Sequence, residues 1–169
     1  YYETEDYILF ELGFVGGQSM RLVLPKEGKE LNSLLTEQSL KAILSSPEES
    51  TQKSAKVNLK LPKFSFDSNF NLNKLCQSLG LEELFSESSD LSGISKENIA
   101  VSNVQQESHV EIDENGCKAA AYTKIDIREM SLLLDETEEI NLSFDRPFLF
   151  SIQSGDNAPL FVGTVYQPK

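Results

Sequence analysis

Short apolar, β-prone runs recur along this chain, and in some of them apolar and polar residues alternate, which predicts β-strands. Two apolar, β-prone runs lie near the start, at residues 7–14 (YILFELGF) and 19–25 (SMRLVLP). They flank Gly16 and Gly17, and a glycine pair between two β-prone runs is typical of a turn that needs positive φ angles. This part of the chain therefore predicts a β-hairpin.

Further strands are predicted later in the chain. Residues 146–168 have the pattern of a second hairpin, with its turn at 155–157. Residues 56–67 alternate as well, and Pro62 predicts that this strand bends or lies at a sheet edge. Residues 99–113 return to strand, so most of the predicted elements are β.

Helical spacing is found in two segments. Residues 31–46 predict a short surface helix with Thr36 as its N-cap and with three apolar residues on one face, namely Leu40, Ile43 and Leu44. Residues 71–81 predict a second helix, capped by Asn71 and ended by Gly80. Its apolar residues are spaced to face a core: Leu72, Leu75, Cys76 and Leu79. The predicted fold class is α+β, mostly antiparallel β with a few helices.

Composition limits the partners this chain can have. Its 169 residues suffice for one domain with a core, and its formal net charge is -12. Such a charge repels phosphate groups and anionic lipids, which argues against nucleic-acid and membrane-surface binding. A neutral or basic partner is expected.

The residues that usually build metal centres and nucleophiles are scarce. Cys76, Cys117 and His109 are the only cysteines and histidine, and their spacing fits no metal site, cofactor site or Cys/His nucleophile. We therefore expect two free thiols, no metal, no cofactor and no enzymatic activity. No apolar run is long enough to span a membrane, and the N-terminus does not have the pattern of a signal peptide.

Residues 117–127 carry an unusual alternation. In a single strand, successive side chains face opposite ways. One face would then be small or apolar, with Cys117, Ala119, Ala121, Thr123, Ile125 and Ile127. The other would hold the charges, with Lys118, Ala120, Tyr122, Lys124 and Asp126. This is the pattern of a strand that faces a core through a tight slot.

The next residues, 128–141 (REMSLLLDETEEIN), lack turn glycines and steady alternation, which predicts a long exposed loop. Long loops in compact domains are usually functional. The whole segment is either an ordinary strand followed by a loop, or a loop that can become a strand. Periodicity does not separate these two interpretations.

Several motifs in this order resemble the C-terminal half of the serpin family, over about Tyr2 to Lys169. The matching segments are LPKFSF (61–66), LNKLCQSLGLEELFSESSDLSGIS (72–95), IAVSNVQQESHVEIDENG (99–116), GCKAAAYT (116–123), DRPFLFSI (145–152) and PLFVGTVYQP (159–168). The resemblance implies parts of the large central sheet A and of sheets B and C. It also implies that residues 1–169 are the C-terminal part of one domain, with an N-terminal portion of comparable size outside this sequence. The absence of an initiator Met also leads us to expect a fragment or a processed chain.

The resemblance implies a suicide inhibitor of serine proteases. In that family a bait loop is cleaved and then inserts as an extra strand into the central sheet. Residues 114–139 would be the hinge and reactive-centre loop, with 117–127 as the inserting strand. The hinge residues are Glu114, Gly116, Cys117, Ala119, Ala120, Ala121 and Thr123.

The family's usual count from Gly116 places the scissile bond at Met130-Ser131. Methionine suits a chymotrypsin-like or elastase-like protease. Counting back from Asp145 points instead to Leu132, Leu133 or Leu134. If the count from Gly116 is two residues shorter, the bait residue is Arg128, which would suit a trypsin-like protease. We favour Met130 and leave the leucines and Arg128 as alternatives.

Some residues depart from the family pattern. Cys117 stands where the family usually has Thr or Ser, Tyr122 replaces a small residue, and Gln106 replaces a frequent histidine. His109 lies three residues after Gln106, so we assign it no gating role and expect an exposed strand residue. These departures, together with Lys118, keep open a non-inhibitory serpin with a storage, transport or chaperone role. The resemblance favours an extracellular protein and leaves an intracellular one open.

Two weaker motifs remain. The triplet Asn141-Leu142-Ser143 matches an N-glycosylation sequon, but such triplets are common, and its place in a family strand favours an unmodified asparagine. Four acidic residues, Asp135, Glu136, Glu138 and Glu139, are spaced as a solvated loop face rather than as metal ligands, and they could attract a basic protease surface.

Overall fold

The computed structural model describes residues 1–45, 47–113, 116–117 and 138–168. The chain divides into two compact units. One comprises residues 1–64 with the described residues from 112 onward, and the other comprises residues 65–111.

The described residues form strands, two α-helices and three short 3-10 helices. The strands are β1 (Tyr2–Glu3), β2 (Tyr7–Gly13), β3 (Ser19–Pro25), β4 (Lys56–Lys60), β5 (Phe64–Asn71), β6 (Gln105–Asp113), β7 (Gly116–Cys117), β8 (Glu139–Ser143), β9 (Phe148–Gln153) and β10 (Pro159–Val165). The helices are α1 (Glu37–Leu44) and α2 (Asn73–Ser78), with 3-10 turns at Leu31–Leu34, Glu49–Thr51 and Glu82–Phe85.

These strands make three sheets. The largest has the antiparallel order β1-β2-β3-β9-β10. A second sheet pairs β4 with β8 in parallel, and a third has the order β5-β6-β7. The α+β class with mostly antiparallel strands is confirmed.

Both predicted hairpins are present, and local chemistry explains their turns. Gly16 and Gly17 adopt φ angles of 115° and 87°, which glycine reaches without steric cost. Asn157 turns the C-terminal hairpin with φ of 63°, a conformation that asparagine tolerates better than most residues.

The large sheet buries apolar side chains on both faces. On one face, strand residues pack against the first 3-10 turn and α1 in a cluster of Leu9, Val23, Leu31, Leu34, Ile43 and Leu149, none more than 4% exposed. On the other, Phe64 lies with its ring centroid 5.2 Å from Phe150 and 5.8 Å from Phe148. Each fully buried side chain of this size stabilises the fold by about 1.5–3 kcal/mol.

Helix α1 is capped at both ends. The Thr36 hydroxyl accepts a hydrogen bond from the Ser39 amide, as predicted for an N-cap. At the other end, Arg21 is 1% exposed and its Nη1 donates to three carbonyls, those of Ile43, Leu44 and Ser45, at 3.2, 3.0 and 2.6 Å. A cation at a helix C-terminus is favourable because carbonyl oxygens without helical partners carry partial negative charge there.

Two strand predictions need correction. The run 56–67 is two strands in different sheets, because the chain leaves β4 after Lys60 and re-enters a sheet at Phe64. Residues 99–104 are not strand, because their backbone bonds to irregular partners: the Val101 amide donates to the Leu84 carbonyl.

The predicted core face of the second helix is also wrong. Helix α2 has no buried residue, and Leu75 and Leu79 are 52% and 72% exposed. Within the described residues this short helix has no layer covering that face. Its predicted start is one residue early, since Leu72 is the N-cap, whereas Gly80 ends the turn with φ of 88° as predicted.

The core is tested by two substitutions in the same helix. Replacing the fully buried Ile43 with Ala removes packing and should lower the free energy of unfolding by about 2–5 kcal/mol. Lys41→Ala, on the exposed side, should change it by less than about 0.5 kcal/mol. Urea unfolding of both variants of the full-length protein measures the difference, and equal losses would contradict the assigned core.

Candidate functional site

Strand β6 has two unlike faces. Val110 and Ile112 are 3% and 5% exposed, and Ser108 on the same face is half-buried. Glu107 and His109, on the opposite face, are exposed. The strand therefore presents one buried apolar face near its C-terminal end.

The predicted hinge residues Gly116 and Cys117 pair with this strand. Strand β7 runs antiparallel to β6, with Cys117 opposite Ile112 and Gly116 opposite Asp113. Residues directly opposite each other share a face of the sheet. The register thus makes Cys117 the partner of Ile112, a buried residue of β6.

Hydrogen bonds between polar side chains join β5 and β6 on their exposed face. His109 Nδ1 lies 2.7 Å from Asp67 Oδ1, and Asn69 Nδ2 donates to Glu107 Oε1 at 3.0 Å. The imidazole is 53% exposed, so an exposed strand histidine is confirmed. Exposed pairs of this kind contribute little to stability, because water solvates both groups well in their absence.

The far end of the predicted loop enters a different sheet. Strand β8 begins at Glu139 and pairs in parallel with β4, with Leu142 buried between the exposed Asn141 and the half-exposed Ser143. The prediction of loop through residue 141 is therefore wrong at its last three residues, because Glu139, Ile140 and Asn141 pair with Lys56, Val57 and Asn58. Since β7 and β8 belong to separate sheets, the segment between them connects those sheets.

The surroundings of Glu139, the first residue of β8, favour its ionised form. Asn58 Nδ2 donates to Glu139 Oε1 at 2.7 Å, and this bond, with the nearby Lys56 ammonium, holds the pKa of Glu139 below its ordinary value. The carboxylate stays ionised at neutral pH. The ionised Glu139 contributes its full stabilisation at pH values above the pKa that this residue has in the unfolded chain. That stabilisation is lost as the pH falls through the lowered pKa of Glu139 in the folded chain.

Most of the sequence-predicted site lies outside the described residues. Gly116 and Cys117 are in β7. The other hinge and bait positions fall in the segments that are not described: Glu114, Ala119, Ala120, Ala121, Thr123, Arg128, Met130, Ser131, Leu132, Leu133 and Leu134. Their assigned roles stay predictions.

The predictions about metals and thiols concern both described and undescribed residues. Glu138 and Glu139 are exposed, while Asp135 and Glu136 lie outside the described part. Among the described residues, no group of three or more His, Cys, Asp or Glu side chains is arranged to hold a metal ion. Cys76 is a free, half-buried thiol.

Sequence reasoning missed two polar features of the described structure. One is the buried Arg21, whose signal was a lone cation within an apolar strand pattern. The other is the contact of Asn58 with β8, which joins residues 81 and 83 positions apart. No local pattern encodes so long a separation.

Comparison with known proteins identifies the family. The profile of the serpin (serine protease inhibitor) family matches residues 1–168. This chain therefore belongs to the serpin family.

Named relatives agree with that assignment. The plasma serine protease inhibitor of Homo sapiens is 37% identical over 92% of this chain and 36% of its own length. Human alpha-1-antichymotrypsin is 34% identical over 100% of this chain and 40% of its own length. Human thyroxine-binding globulin, solved in complex with thyroxine, superposes with a TM-score of 0.70 at 25% identity, over 100% of this chain and 43% of that one. This chain thus spans less than half the length of each.

No helix in the described part of the chain has the length and apolar character needed to cross a lipid bilayer.

The pairing of β7 with β6 is tested by disulfide trapping. Directly opposite residues of an antiparallel pair have Cα atoms about 4.5–5.5 Å apart, which lies within the Cα separation of about 4.4–6.8 Å that a disulfide needs. In a Cys76→Ser background, Ile112→Cys should therefore oxidise to a disulfide with Cys117. Non-reducing peptide mapping of the full-length protein detects the bond.

The matched control is Asp113→Cys, one position along β6. It is opposite Gly116 and on the other face from Cys117, so it should remain a free thiol. Equal cross-linking of both variants would show that the register is wrong.

Proposed function

We propose that the protein containing this chain is a serine protease inhibitor that traps its target after the loop at 114–139 is cleaved. The observation that carries the proposal is the antiparallel pairing of Gly116 and Cys117 with the buried end of β6. Membership in a family of serine protease inhibitors supports it.

Continuation of that pairing leads to a specific arrangement. The same register would place Ala119 opposite Val110 and Ala121 opposite Ser108, on the face that is buried in β6. Small side chains there fit against the apolar row without a clash. Lys118 and Ala120 would lie on the opposite, solvent-facing side.

The backbone entropy and hydrogen-bond free energies alone do not drive insertion. Ordering each residue costs about 1–2 kcal/mol, and each new hydrogen bond returns about 0.5–1.5 kcal/mol. These terms nearly cancel over residues 117–127. Side-chain burial and strain in the uncleaved fold must supply the remainder, so an unpaired charge on the buried face, which costs several kcal/mol, would stall the process.

The bait is proposed to be Met130, with the bond to Ser131 as the scissile bond. A flexible apolar side chain fits the primary pocket of a chymotrypsin-like or elastase-like protease. Leu132 or Leu133 would select the same proteases, whereas Arg128 would select a trypsin-like one.

Incubation of the full-length protein with chymotrypsin, elastase and trypsin tests both mechanism and bait. We expect a detergent-stable complex with chymotrypsin or elastase and release of a peptide that begins at Ser131. Mass spectrometry of the complex and of the peptide gives the bond directly. Cleavage at any of these bonds without a stable complex would refute trapping.

Substitutions of two adjacent alanines test which face of the proposed hinge becomes buried. Ala119→Glu would put a charge against Val110 and should abolish the stable complex, converting the protein into an ordinary substrate. Ala120→Glu adds the same charge on the opposite face and should retain most of the trapping. The stoichiometry of inhibition measures both, and equal trapping by the two variants would contradict the proposed insertion.

A non-inhibitory role is the second candidate. Thyroxine-binding globulin, which is similar to this chain in fold, was solved in complex with thyroxine. Four departures from the family pattern favour such a role here: Cys117, Lys118, Tyr122 and Gln106. A loop that is cut without complex formation and without a rise in melting temperature would favour this candidate.

The proposal includes an N-terminal portion of the same domain. This chain covers about two fifths of the length of alpha-1-antichymotrypsin, and insertion needs a strand on the other side of the loop. Among the described residues, β7 pairs only with β6. We also propose that the protein is secreted, as the name of the plasma relative suggests for that protein.

A further inference from the structure

Strand β8 carries the triplet Asn141-Leu142-Ser143, in which alternate residues face opposite ways. Leu142 is 5% exposed and packs inward, whereas Asn141 is exposed and Ser143 is half-exposed. An N-glycan needs an asparagine followed two residues later by Ser or Thr, and it must lie in solvent after folding. Although its place in a family strand favoured an unmodified asparagine on sequence grounds, the alternation within β8 leaves the acceptor asparagine at the surface.

The amide group of Asn141 is oriented by its neighbour. Asn58 Nδ2 donates to Asn141 Oδ1 at 3.2 Å. The sugar of an N-glycan is attached to the amide nitrogen, and Asn141 Nδ2 has no acceptor within the described part of the chain. A glycan would therefore leave the existing hydrogen bond in place.

The surrounding surface is hydrophilic. Opposite and beside Asn141 lie Lys56, Asn58 and Glu139, and the two charged side chains are 71% and 54% exposed. Asn141 is also the single asparagine in the sequence followed by a non-proline residue and then Ser or Thr. A bulky hydrophilic group on this face displaces no apolar packing.

We propose that Asn141 is a site of N-linked glycosylation. The proposal rests on the secretion proposed above, because the modification is made in the secretory pathway. The site lies on the first strand after the bait loop, at its third residue.

The test is expression of the full-length protein through the secretory pathway of cultured insect or mammalian cells. After treatment with peptide-N-glycosidase, the peptide that contains residue 141 should carry aspartate at this position, a gain of about 1 Da that peptide mass spectrometry detects. Asn141→Gln and Ser143→Ala should each abolish this change, and Ser143→Thr should retain it.

Asn58→Gln is the matched control, because Asn58 is directly opposite on β4, is similarly exposed and has no hydroxyl residue two positions on. It should leave the glycan unchanged. An unmodified Asn141 in secreted protein would overturn the proposal, as would persistence of the mass change in Ser143→Ala. The glycan is measured without any protease, so this result is independent of whether the protein inhibits one.

Discussion

The structure depends most on the boundary between a buried and an exposed face along β6. Val110 and Ile112 are buried while Glu107 and His109 are exposed, so any strand that joins this edge must match the same division. A one-residue slip would move every side chain of the new strand to the wrong face. Pairing of Cys117 with Ile112 sets the register that meets the requirement.

The division between the two faces of β6 explains why a strand that joins this edge needs small side chains on its buried face. A strand that enters an existing sheet must fit side chains into space bounded by packed neighbours, and interiors of proteins tolerate little added volume. The alanines at 119 and 121 carry the least volume of any side chain except glycine. In an inserted strand, their alternation with Lys118, Ala120 and Tyr122 would keep the charged and bulky residues on the other face.

Local chemistry accounts for the elements that the sequence predicted well. Strand β3 begins and ends at the predicted residues, because its apolar, β-prone run lies between a glycine turn and Pro25. Helix α1 begins after Thr36, because the Thr36 hydroxyl caps the helix. Gly16 and Gly17 marked a turn that few other residues could adopt. In each case the signal lies within a few residues of the element.

Long-range features could not be predicted in the same way. Alternation in 56–67 does not reveal that β4 and β5 join different sheets, nor that β4 pairs in parallel with β8. The spacing of Leu75 and Leu79 predicts a face, but it does not say whether anything in this chain covers it. In the candidate site, the sequence alone predicted which residues of 117–127 share a face. Only the fold showed that Cys117 pairs with Ile112.

Hydrogen exchange before and after cleavage of the loop, followed by mass spectrometry of the full-length protein, tests the central claim most directly. If residues 117–127 become a strand beside β6, their amides should change from rapid exchange to strong protection once the loop is cut, while those of β8 change little. Continued rapid exchange of 117–127 after complete cleavage would contradict the account.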